Sequence, residues 1–278
     1  MSEQYTIDIT CPSGLAIRVR GLGGAEFDLY ENKDVLHSNR LKTQLLEQCT
    51  VEVLHIPAFY DAEKVRGSRN LNWDEVLTCD RMYATFEIRK AGDRKEGHLY
   101  HAKFHCDNDR CNDPHYNRKV DLNELPVIEL SDEAKECLAR GVNEFPYTLE
   151  DGDVVVTRLL FGRDEAKIEK QRKLDKEQRM TTSMIPHIVR VETMDGAVIT
   201  DAVEMRRWIR SRIGNDWFEV WSAIDTQDGG IDTNFETYCP ECGNPFDEDF
   251  NVGTDFLNPS NKANRKKRRQ KRLSRARK

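Results

Sequence analysis

The chain turns on Tyr238-Cys239-Pro240-Glu241-Cys242-Gly243-Asn244-Pro245-Phe246, two thiols two residues apart on a Pro/Gly turn. Such a turn offers two of the four ligands that a tetrahedral zinc ion takes. The other two must come from elsewhere. The matching stretch is Cys106-Asp107-Asn108-Asp109-Arg110-Cys111, whose four-residue gap lies at the upper end of the spacing used by zinc turns. An ion shared by Cys106, Cys111, Cys239 and Cys242 would clip together parts of the chain more than a hundred residues apart. His98, His101, His105 and His115 crowd the first pair, and any of them is an alternative ligand.

Strands lead into both turns. Leu99 to Cys106 alternates apolar and polar residues, and Lys119 to Leu122 reads as the return strand. Ile231 to Tyr238 enters the second turn. Strand, two-thiol turn, strand is half of a zinc ribbon.

Further out, 5–20 reads as a β-hairpin around Pro12-Ser13-Gly14, and 144–160 as a second around Asp151-Gly152-Asp153. Helical spacing predicts helices over 33–49, 73–89, 131–142 and 163–179, the third opened by Ser131. Thr200 is the expected cap of a helix carrying Met205 and Trp208, and Asn215 or Asp216 of one carrying Trp217 and Trp221. Trp208, Trp217 and Trp221 read as core. Residues 57–71 read as irregular.

The two hairpins also match in sequence. Gly14, Arg20, Leu22, Gly24 and Glu26 recur as Gly152, Arg158, Leu160, Gly162 and Asp164, each at an offset of 138. The expectation is therefore an α+β protein of two similar hairpin-plus-helices halves, each ending in a two-cysteine zinc-ribbon knuckle. The halves are 1–130 and 131–260, followed by a disordered basic tail, 261–278.

Charge divides the chain unevenly. Residues 261–278 carry 11 Lys/Arg and no acid, so the other 260 residues hold 32 bases and 49 acids, a net −17. A tail of that composition buries too little apolar surface to fold alone. Its candidate partners are nucleic acid and an acidic protein surface. No apolar run is long enough to span a bilayer, and the N-terminus lacks a basic-then-apolar export signal. Cysteines in a reducing compartment read as metal ligands rather than disulfides. Cys11, Cys49, Cys79 and Cys137, without thiol neighbours, read as buried.

Phosphate loops, HExxH and Gly-x-Ser-x-Gly are all missing from the sequence. Four thiolates leave a zinc ion no open position for substrate, so the ion is expected to be structural and the protein not an enzyme. A zinc ribbon with a basic tail also suits a nucleic-acid-binding protein acting through that tail. The acidic body would oppose that role.

The order of short motifs resembles a known family. The motifs are the Cys11-Pro12-Ser13-Gly14 hairpin ending in Arg20-x-Leu22-x-Gly24, then Trp73-Asp74-Glu75-Val76-Leu77 with Asp80-Arg81. After these come the Cys106/Cys111 turn running into Val120-Asp121-Leu122-Asn123-Glu124-Leu125-Pro126, and Cys239-Pro240-Glu241-Cys242-Gly243 with Asp255-Phe256-Leu257-Asn258-Pro259. Across 5–260 this resembles the baseplate hub assembly chaperones of T-even-like contractile phages. The resemblance implies a non-enzymatic factor of viral tail assembly, in the host cytoplasm or the virion tail. Its implied partners are baseplate hub, tail tube or tape-measure proteins. It also implies cysteine pairs at Cys106, Cys111, Cys239 and Cys242, although the first pair is spaced x4 where the family leads one to expect x2. The basic tail lies outside the shared region.

Overall fold

The computed structural model describes residues 5–32, 34–35, 40–67, 71–92, 96–113, 115–174, 179–212, 214–249 and 256–257. The tail therefore lies outside the described residues, as do parts of the helix expected over 33–49. The first half of the chain contains strands β1 (Thr6–Thr10), β2 (Ala16–Arg20), β3 (Thr50–His55), β4 (Leu99–His105), β5 (His115–Asp121) and β6 (Val127–Ile128). Its helices are α1 (Gly24–Leu29), α2 (Leu41–Cys49), α3 (Ala62–Val65) and α4 (Thr78–Ala91). After α5 (Asp132–Ala139) come β7 (Phe145–Thr148), β8 (Val154–Thr157), α6 (Gly162–Leu174), α7 (Arg179–Met184), β9 (Ile188–Glu192) and β10 (Val198–Ile199). The last elements are α8 (Ala202–Ser211), α9 (Gly214–Gln227), β11 (Gly230–Ile231), β12 (Asn234–Tyr238) and β13 (Pro245–Asp249).

Two antiparallel sheets organise the body, one ordered β1-β2-β3 and one ordered β10-β9-β8-β7. Local chemistry sets most boundaries. Ser131 caps α5 through its hydroxyl, which accepts from the Ala134 amide at 2.9 Å. The cap of α8 is Asp201, not Thr200: its carboxylate accepts from the amides of Val203 and Glu204. A charged acceptor satisfies two orphan amides at the positive helix end. The segment expected to be irregular over 57–71 contains the short α3, capped by Asp61.

The main core lies under the first sheet. Leu15, Ile17, Val19, Leu46, Trp73, Phe86 and Ile88 are buried there. It also takes Leu130, Leu138, Phe145 and Leu159, and from the far end of the chain Ile231, Phe256 and Leu257. A second core gathers Val155, Ile185, Val191, Trp208, Ile209, Val220 and Ile224, with Trp217 and Trp221 half-buried against it.

The 138-residue offset has a local structural counterpart. In both turns the first residue donates to the fifth: Cys11 N to Leu15 O and Leu149 N to Asp153 O, each at 2.8 Å. Gly14 and Gly152 take φ of 88° and 91°, where a Cβ would be strained. Val19 faces Thr50 as Thr157 faces Ile188, and each pairing carries a bulge at the same step. Arg20 bonds Glu26 at 2.7 Å and the Gln48 carbonyl at 2.9 Å; Arg158 bonds Asp164 at 3.1 Å and the Pro186 carbonyl at 3.0 Å. The acceptor carboxylates also take the Gly23 and Phe161 amides, closing the start of the following helix.

The correspondence does not produce two symmetric halves, each with its own knuckle. That expectation is corrected by the thiols, which form a single cluster of four. The connections of β4–β5 and β12–β13 meet instead, Cys106 lying against Cys242 and Cys111 against Cys239. The surroundings also differ: the first sheet has three strands and the second four, and β6 pairs with β11. The hairpins that carry the thiols have strands of seven and five residues.

Candidate metal centre

The β4–β5 hairpin is a continuous antiparallel ladder from Leu99↔Asp121 to His105↔His115, with Cys106 and Cys111 in the connection beyond it. Ala102 and Phe104 point inward and are buried; His101, Lys103 and His105 are exposed. This alternation is the period of a half-buried strand. Asn108 shapes the connection: its side-chain oxygen accepts from the Arg110 amide at 3.0 Å, and its carbonyl accepts from the Cys111 amide at 2.9 Å. The opposite turn is closed by Gly243 N to Cys239 O at 2.8 Å and Cys239 N to Asn244 O at 2.9 Å. Gly243 has φ 70°, a left-handed position that suits glycine.

The two turns meet thiol against thiol. Cys106 Sγ lies 3.7 Å from Cys242 Sγ, and Cys111 Sγ lies 3.6 Å from Cys239 Sγ. All four sulfurs fall within 4.8 Å of one another. A tetrahedral ion with Zn–S bonds of about 2.3 Å places its sulfurs about 3.8 Å apart, so the donor set fits such an ion. None of the four neighbouring histidines belongs to the cluster. His105 and His115 sit at the end of the ladder, His101 faces Lys119, and His98 lies 3.9 Å from Asp121.

The surroundings hold the sulfurs in place. Cys106 and Cys239 are buried, Cys111 is half-buried, and Cys242 is exposed. Phe246 and Tyr116 cover the inner side, their rings edge to face at 6.2 Å. Cross-contacts lock one turn to the other: Asn244 Nδ2 donates to Asp107 at 2.8 Å, Asn108 Nδ2 approaches Cys242 Sγ at 3.6 Å, and Arg118 bonds the Thr237 hydroxyl. Backbone donors from Cys242 and Glu241 lower the Cys239 thiol to about 7, a direction that favours a thiolate ligand. Burial acts in the opposite direction on Cys111, pushed up to about 12, with the hydrogen-bonded Cys239 sulfur adding to the rise. Packed thiols resist ionising together, and a divalent cation removes that penalty.

The sequence singled out the four cysteines whose sulfurs the structure brings together. It missed Asn108 and Asn244, whose signal was an Asn beside each cysteine turn, a residue that bonds its own backbone. It also missed Phe246, which closes the cluster from below. The other cysteines, Cys11, Cys49, Cys79 and Cys137, are all buried.

No protein-family model, curated protein or solved structure matches this chain. What the fold and site define is a protein with a four-cysteine cluster capable of coordinating a metal ion. No helix among the described residues is long and apolar enough to cross a membrane.

Proposed function

We propose that this protein is a non-enzymatic assembly factor held together by one structural zinc ion on Cys106, Cys111, Cys239 and Cys242, and that it serves in building the baseplate hub of a contractile phage tail. The observation that carries the zinc assignment is the contact of the four sulfurs across two hairpins. Thiolates suit zinc, and four of them fill its coordination sphere. Substrate then has no place on the ion, which supports a structural role.

The place in tail assembly rests on the order of sequence motifs and on the acidic body, whose net −17 suits a surface that holds a basic partner until assembly. The partners in this reading are hub, tail tube or tape-measure proteins, met in the host cytoplasm. Deleting the gene from the phage that encodes it and imaging the lysate tests the reading. Full heads without baseplates or tails are the expected result; normal tails would overturn it. The basic tail supports a second reading, nucleic-acid binding through residues 261–278. A gel shift in which affinity disappears on removing those residues would favour that reading.

A further inference from the structure

The exposed end of the β4–β5 ladder places two imidazoles side by side. His105 and His115 are direct cross-strand partners, both exposed, with ring centroids 4.6 Å apart and planes at 65°. Neither ring is hydrogen-bonded to another described residue. Neither belongs to the cysteine cluster, which is complete without them.

The spacing is that of two ligands on one ion. An ion bonded to a ring nitrogen at about 2.0 Å lies about 3.1 Å from the ring centroid. Two rings meeting at such an ion at about 90 to 109° have centroids about 4.4 to 5.1 Å apart, which brackets the observed separation. The ladder fixes both backbones, so little order is lost when the rings converge on an ion. Lys103 and Asn117, the next pair along the same face, supply no carboxylate to compete for the imidazoles.

We propose that His105 and His115 form a second, open metal site, distinct from the closed cysteine cluster. It takes a borderline divalent transition metal such as Ni2+ or Zn2+ through two imidazoles, with water in the remaining positions. The sites differ in kind: one is sealed by four sulfurs, and the other leaves exchangeable positions on an exposed surface.

The test titrates Ni2+ into the full-length, zinc-loaded protein by calorimetry, beside His105→Ala, His115→Ala and, as a control from the same face, His101→Ala. The expected result is one weak Ni2+ equivalent in the parent, its affinity lowered at least about tenfold in either paired variant and unchanged in the control. No Ni2+ binding in the parent, or an equal loss in His101→Ala, would overturn the proposal. A Co2+ spectrum of each variant reports separately on the thiols. A sulfur-to-cobalt charge-transfer band retained in His105→Ala and His115→Ala shows that the cysteine cluster still forms. If that band is missing from every protein, including the parent, the zinc reading fails while the Ni2+ result still decides the histidine site.

Discussion

On the zinc reading proposed above, removing the metal, or one thiol, should release a long loop. Cys111 and Cys239 touch across a separation of 128 residues. Treated as a cross-link in the unfolded chain, a loop of that length is worth about 5 kcal/mol. Urea unfolding of the zinc-loaded protein, the chelated protein and Cys106→Ala is expected to show a loss of that order in both metal-free proteins. That is a large part of the ~5–15 kcal/mol that holds a domain folded. Metal analysis should give one zinc per chain, lost in Cys106→Ala and in Cys239→Ala. Unchanged unfolding midpoints after chelation, or zero or two zinc ions per chain, would refute the reasoning.

Other substitutions probe how the body is joined. Arg81 is buried and bonds the Trp73 carbonyl at 2.5 Å, the Thr43 hydroxyl at 3.0 Å and Glu165 at 3.0 Å; Arg81→Ala strands these acceptors and should cost about 3 kcal/mol or more in urea unfolding. Gly24 and Gly162 occupy matched positions but different space. A Cβ at Gly162 would lie 2.2 Å from the Trp73 carbonyl oxygen, whereas nothing lies within 4 Å of one at Gly24. Thus Gly162→Ala should destabilise by about 2 kcal/mol or more, while Gly24→Ala should stabilise by up to about 1 kcal/mol, as thermal melts would show. Asp80 is fully buried and accepts from Tyr60 and Ser13, and desolvation holds its carboxyl up to about 6 against an ordinary 3.8. Raised in the fold, it binds its proton more tightly there than in the unfolded chain. Its contribution is complete below pH 3.8 and lost as pH rises through about 6. Asp80→Asn should flatten the stability profile across that window, and an unchanged slope would exclude this account.

Short-range features were readable in the sequence. Alternation marks the hairpin arms because strand side chains change face at every residue. Ser131 marks a helix start because its hydroxyl reaches an amide three residues on. The cysteine turns were readable because few other uses place thiols at such spacings. The clamp of Arg20 on Glu26, and of Arg158 on Asp164, lay within six residues and was written in the repeat.

Long-range features were not. Arg81 finds Glu165 across 84 residues, and no local pattern specifies that pair. Phe256 inserts between Phe86 and Tyr100, with ring centroids at 4.6 and 5.0 Å, although the segment around it reads as polar. The repeat suggested two knuckles because matching sequence reports local structure, and locally the hairpins do match. Whether each pair of thiols stays alone or meets the other depends on where the chain returns after more than a hundred residues. That return is set by burial in the shared core, by β6 pairing with β11, and by packing of Phe246 against Tyr116. The sequence by itself determined the four thiols, the turns and the strands that present them. The sequence pointed to one shared site, but only the tertiary structure set its geometry, with sulfur pairs at 3.6 and 3.7 Å, because those separations depend on distances across the fold rather than along the chain.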